Sequence, residues 1–496
     1  MHLRLLATTA CALAVVACSD DGSTDASTDA GSADGSAADA HAGDSSSGGV
    51  PTTYAFTSKV GTGSSVSYSG QVHRHVLIGD LKIWVGELTQ SVDGGKAYKV
   101  GDVKKALMFY YDYKGGEGGS VPIKLKTTPP LLQVNYGDIG DASLKAKIAG
   151  NDAKGQHKDF TKKLAGWAGQ TSAEGLVIHW FDALDKLTVD RIAGKVGKDP
   201  AGKALAKVFV TESGLDLQQL IQKFLLGAVT FSQGADDYLD DDTDGKGLKT
   251  QNVKPDKDGK PYTTLEHQWD EGFGYFGAAR DYGDYTDDEI AAKGGRDGWK
   301  SGYHDTDGDG KIDLKSEYNF GHALNCAKRD RGSKDIAATN YTKEAFDAFL
   351  VGRTIIGNAA GNELTPGEMK ALLAQRDIIV STWEKCAAAT AVHYINETLG
   401  DMSKFGTADY AFYDHAKHWS ELKGFALSLQ FSRHSPLKAA FADVHTKIGD
   451  APVLASADKA AIDAYKKALV DARKLIGDAY AFDAKLLGDD KGANGW

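Results

Sequence analysis

The feature that most narrows the fold is the stretch opening at Thr365-Pro366-Gly367-Glu368. A threonine followed three residues later by glutamate satisfies two backbone donors reciprocally, and proline suits the first helical position. No further proline appears before Leu399, so the spacing predicts a helix over 366–399, stopped by Gly400. At ~1.5 Å per residue this is a rod of roughly 50 Å. A rod of that length can bury its apolar stripe only against other helices.

Other segments agree. From about Gln71, Val76, Leu77, Leu81, Trp84, Val85 and Leu88 recur at spacings of three and four. Thr171-Ser172-Ala173-Glu174 reads as another capping box, followed by Leu176, Trp180, Leu184 and Leu187 on one stripe. Leu217 to Phe231 is a further apolar helix, and Ser456 is placed to open a last one. Strand-like alternation is confined to 53–68 and 121–135. The expected fold is therefore mainly α, built as helical bundles within 51–496. Two pseudo-repeated halves, near 51–260 and 261–496, are expected, with long Gly/Asp-rich loops at 234–260 and 281–317 between helices. With 58 glycines but only 10 prolines in 496 residues, collagen-like and proline-linker designs are excluded.

The first 50 residues read as an address. Met1–Ala17 carries one Arg4 and an apolar run too short for a permanent membrane span, ending in Val15-Val16-Ala17-Cys18. Small residues before a cysteine resemble a bacterial lipobox, in which Cys18 is lipidated (with palmitate among its acyl chains) after residues 1–17 are removed as a signal peptide. Residues 18–50 are then a Ser/Asp/Gly/Ala tether, because such a composition buries too little apolar area to offset its ordering entropy. Ser19 after the cysteine resembles an outer-membrane sorting signal. The expectation is a lipid-anchored protein of the bacterial cell envelope, with the membrane as its partner. The net charge of −11 excludes nucleic acid, and the seven aspartates of the tether carry most of it. Cys326 and Cys386 remain as an even pair in an oxidising compartment, either bridged or as two buried thiols.

Two blocks carry candidate chemistry. Glu266-His267-Gln268-Trp269-Asp270-Glu271-Gly272-Phe273 places His267, Asp270 and Glu271 on one helical face. His418-Trp419-Ser420-Glu421-Leu422-Lys423-Gly424-Phe425 does the same for His418 and Glu421, which suggests an internal duplication. Imidazole and carboxylate on one face suit iron or zinc in a bundle core. The alternative is a structural polar layer, in which Arg353 pairs with Glu271 or Glu421.

A third pattern is Asp305-Thr306-Asp307-Gly308-Asp309-Gly310-Lys311-Ile312-Asp313, the first nine positions of an EF-hand-type loop. Asp305, Asp307, Asp309, the Lys311 carbonyl, and Asp313 or Glu317 are the expected calcium ligands, with Ile312 anchoring the loop. Ser316 occupies the twelfth position and Glu317 comes one residue late. A weak site, with Kd on the order of 10⁻⁴–10⁻³ M, is implied. Asp240, Asp242 and Asp244 repeat the start of the pattern as a second candidate calcium loop.

Tyr68-Ser69-Gly70-Gln71 with Arg74, the block Glu266–Tyr275, Phe349-Leu350-Val351-Gly352-Arg353, and Ser420-Glu421 followed by Gly424–Leu429 together resemble the domain-of-unknown-function 4856 family of bacterial lipoproteins. The resemblance implies a largely helical, uncharacterised envelope domain and no particular activity. A remoter likeness is to imelysin-like proteins, helical envelope proteins linked to iron uptake or peptidase activity. Their G-x-H-x-x-E motif is matched by His418 and Glu421, but Ala416 replaces the glycine. No G-x-S-x-G, H-E-x-x-H or C-x-x-C is present, and no catalytic residue is assigned. The leading expectation is a calcium-ordered envelope binding protein engaged in metal acquisition. An imelysin-like metal-dependent peptidase and a structural or interaction module are the alternatives.

Overall fold

The computed structural model describes residues 49–152, 154, 156–257 and 259–496. The expected signal peptide, Cys18 and nearly all of the expected tether lie outside the described residues. Among the described residues thirteen α-helices follow in order. The first half holds α1 (Ser69–Asp93), α2 (Asp102–Tyr111), the single turn α3 (Tyr136–Ile139), α4 (Ala173–Ile192) and α5 (Leu217–Leu225). The second holds α6 (Thr264–Phe276), the short α7 (Asp287–Ile290), α8 (Gly321–Ser333), α9 (Tyr341–Ala359), α10 (Pro366–Ser403), α11 (Phe412–Ser428), α12 (Phe441–Ile448) and α13 (Lys459–Tyr480). Among the described residues the extended segments form only isolated bridges, such as Thr57 with Ser64 and Pro122 with Asn135, so neither becomes a strand.

The architecture is organised around α10, which packs against α8, α9, α11 and α13. Its middle is buried on every side: Trp383, Ala387, Ala388, Ala389, Ala391, Val392 and Ile395 are all fully covered. The run of alanines lets four neighbours approach one rod, which larger side chains would prevent. Cys386 on α10 is bonded to Cys326 on α8, so the pair is bridged rather than free. The Thr365–Glu368 box forms as read. Gly400 does not stop the helix, which runs on to Ser403, because α10 is packed beyond it by buried Asp401 and Met402.

Two caps fall elsewhere than expected. Ser172, not Thr171, caps α4 by accepting from Gly175, and Glu174 turns outward to Asn151. Asp458, not Ser456, caps α13. Helix α5 continues into two wide-turn segments, Leu226–Phe231 and Gly234–Tyr238, all of them buried. Elements from both halves interleave, with α1 against α6 and α5 against α11, over one continuous apolar core. Glycine marks the closest crossings. A Cβ on Gly352 of α9 would collide with the Trp269 ring of α6, and one on Gly424 of α11 with the Lys223 side chain of α5. Among the described residues no helix is long and apolar enough to cross a membrane.

Candidate functional site

Arg353 lies on α9 with no solvent exposure. Its Nε donates to Asp270 Oδ1 at 2.8 Å and its Nη1 to Glu266 Oε1 at 2.9 Å, both on α6. Its Nη2 donates to Ser65 Oγ at 2.7 Å. Tyr54 Oη donates to Asp270 Oδ1 and the Ser67 amide to Asp270 Oδ2. Glu266 is also the third residue of the box that caps α6, receiving the Thr263 amide. Burial alone would lower the pKa of the guanidinium; Asp270 and Glu266 outweigh this and raise it.

The expected partners of Arg353 were therefore misassigned. Glu266 and Asp270 stand four apart and face α9, whereas Glu271 lies about 100° further round the helix. Glu271 accepts from Gln71 Nε2 at 2.8 Å and is only partly buried. His267 donates from Nδ1 to the Ser67 carbonyl at 3.0 Å and stacks on Tyr262. It lies 3.9 Å from Glu271, while Asp270 is committed to Arg353, so the three do not converge on one centre.

The second block has its own cation. Glu421 on α11 pairs with Lys223 on α5 at 3.2 Å, both side chains 3% exposed. His418 points elsewhere: Nδ1 lies 2.7 Å from Asp401 and 3.9 Å from Glu397. Burial lowers the His418 pKa, but Asp401 pulls it back above its ordinary value. The imidazole and carboxylate of this H-x-x-E thus serve different partners. Glu266, Lys223 and Asp401 were missed as functional partners. Only Glu266 carried a local signal, its place in the Thr263 capping box.

The Asp-rich loop is different. The carboxylates of Asp305, Asp307 and Glu317 bring one oxygen each within 4.8 Å of one another, the one such group of potential metal ligands among the described residues. Oxygens sharing one calcium ion at 2.3–2.6 Å are at most about 5 Å apart, so all three can reach a single ion. Glu317, 4% exposed, accepts from the amides of Thr306, Asp307 and Asp313. Asp305 Oδ2 takes the Gly310 amide, and its Oδ1 is buried without a partner. Burial, together with the Asp307 charge, raises Glu317, and burial pushes neighbouring Asp281 up to about 6. Ile312 is fully buried and bridges to Leu131, holding the loop to the core.

Two expected ligands stand apart. Asp313 is used by Gln133 Nε2, the Lys315 amide and Ser316 Oγ, and Asp309 Oδ1 by the Lys311 amide. Position 13 replaces position 12 because the chain turns back there to pair His304 with Glu317.

The second candidate loop does not gather open oxygens. Arg433 meets Asp240 at 2.6 Å, Asp242 at 3.3 Å and also Asp241, while Arg376 reaches Asp241 at 3.1 Å. Asp244 points outward to Lys249. Two arginines already pair with this acidic run, which weakens the electrostatic reason for a cation.

Replacing Arg353 by alanine leaves Asp270 and Glu266 buried without a cation. The expected loss is ~3–5 kcal/mol in urea unfolding. Glu271→Ala should cost less, about 1–3 kcal/mol, since it leaves only the neutral amide of buried Gln71 unpaired. Equal losses from both variants would contradict this assignment.

No curated protein and no solved structure matches the chain. The matching stretch described next spans α4 to α7, including the Glu266–Tyr275 block, and ends before the 305–317 loop. Residues 142–291 match the family model described as Domain of unknown function (DUF4856), which shows the family resemblance over that stretch.

Proposed function

We propose that this chain is a lipid-anchored cell-envelope binding protein whose 305–317 loop is ordered by calcium, with metal acquisition as its role. The observation that carries the reading is the convergence of Asp305, Asp307 and Glu317. Three carboxylates meet there, one buried oxygen lacks a partner, and among the described residues no Lys or Arg forms an ion pair with them. Uncompensated like charges held this close repel, and a hard divalent cation with oxygen ligands relieves that cost. The envelope assignment rests on the lipobox at Cys18, the polar tether and the Cys326–Cys386 bridge, which fits an oxidising compartment.

A metal-dependent peptidase draws less support. Its H-x-x-E would place His418 and Glu421 on one ion, yet these side chains are held by Asp401 and Lys223. The sealed Arg353 and Lys223 pairs favour a structural role for both blocks instead.

Calcium at ten to a hundred times Kd should add about 1.5–3 kcal/mol of stability and raise Tm, by mass action on the folded loop. Asp305→Ala with Asp307→Ala should abolish the rise. The rise should also shrink on acidification through about pH 6, where Asp281, joined to the loop through the Thr306 hydroxyl, gains its proton and a nearby negative charge is lost. Melting indifferent to millimolar calcium, to chelator and to both substitutions would contradict the proposal. For the anchor, Cys18→Ala should release the protein from membranes or leave it unprocessed. A variant that is processed and membrane-bound as before would refute lipidation.

A further inference from the structure

A cleft of about 470 Å³ lies between α10, the segment after α11 and the end of α13. Its walls include Val380, Glu384, Lys385, Pro436, Ala479 and Tyr480. That volume falls within the range of small-molecule sites. Glu384 is 1% exposed, yet no cation pairs with it among the described residues. Its hydrogen-bond partner is a hydroxyl: Tyr480 Oη donates to Oε1 at 2.7 Å, and Tyr480 Oη lies 3.5 Å from Ser435 Oγ. Burial pushes Glu384 up to about 7.

The other charged groups at the cleft are accounted for. Arg376 is spent on Asp377 at 2.7 Å and Asp241 at 3.1 Å, and His434 lies 3.8 Å from Asp240. Lys385 is in no ion pair among the described residues. Glu384 and Lys385 are successive on α10 and so project about 100° apart, which keeps them from neutralising each other. Two opposite charges thus line one cleft, separated by an apolar strip of Val380, Pro436 and Ala479.

We propose that this cleft binds a zwitterionic amino carboxylate, its ammonium on Glu384, its carboxylate on Lys385 and its body on the apolar strip. An ammonium beside Glu384 favours the ionised carboxyl, so binding below its pKa must expel a proton. A longer ligand is not blocked, because a neighbouring cavity of about 320 Å³ shares Lys385, Tyr480 and Ala481.

The probes are leucine and 6-aminohexanoate, titrated calorimetrically in two buffers of different ionisation enthalpy. At least one should bind saturably, releasing close to one proton at about pH 6 and none at about pH 8.5. Isoamylamine and 4-methylpentanoate, each lacking one charge, should bind at least about tenfold more weakly than leucine if leucine is the better probe. Glu384→Gln should abolish the proton release and weaken binding, and Lys385→Met, a partly exposed change that leaves folding intact, should weaken it about tenfold. Absence of saturable binding by both zwitterions overturns the proposal. So does binding without proton release, or binding indifferent to both substitutions.

Discussion

One buried guanidinium sets the terms for much of this molecule. Arg353 must be paired or it could not be buried, because an isolated charge in a packed interior costs several kcal/mol. Its partners come from two places in the chain. Asp270 and Glu266 are on α6, Ser65 is in the N-terminal extended segment, and Tyr54 and Ser67 complete the shell around Asp270. Satisfying one side chain therefore fixes α9 against α6 and pulls residues 54–67 across both. The Tyr54 ring then stacks on Phe273 at 3.7 Å, so the polar network and the apolar core are seated together. Lys223 and Glu421 repeat the device between α5 and α11, with the ammonium over the Phe425 ring.

The acidic loop is tied to the same framework. Ser316 accepts the Arg280 amide and Phe320 donates its amide to Gly277, both just past the end of α6. On its other side Ile312 exchanges backbone hydrogen bonds with Pro130 and Leu132. A cation drawn in by Asp305, Asp307 and Glu317 would thus close a loop already anchored at both flanks, and little ordering entropy would be left to lose.

Helix periodicity and the Thr365 box made the fold class and α10 legible in the sequence, since local hydrogen bonding and apolar spacing are local facts. The ends were less so. Gly400 is an ordinary stop signal, overridden here by packing at Asp401 and Met402. For the sites, the convergence of Asp305, Asp307 and Glu317 could be read because the three lie within thirteen residues. The pairing of Arg353 could not, because spacing alone does not say which of two adjacent carboxylates, Asp270 or Glu271, faces a helix eighty residues away. Glu384 gave no signal at all: its hydrogen-bond partner is Tyr480, remote in sequence.

The claim at the centre of this account is that the paired carboxylates are structural and the unpaired trio is a cation site. Anomalous scattering from crystals grown in calcium tests it directly. The account predicts a single strong peak among Asp305, Asp307 and Glu317, within 2.3–2.6 Å of an oxygen from each. A peak instead among Asp240, Asp242 and Asp244, or at His418 and Glu421, or an ordered 305–317 loop with no peak at all, would contradict it.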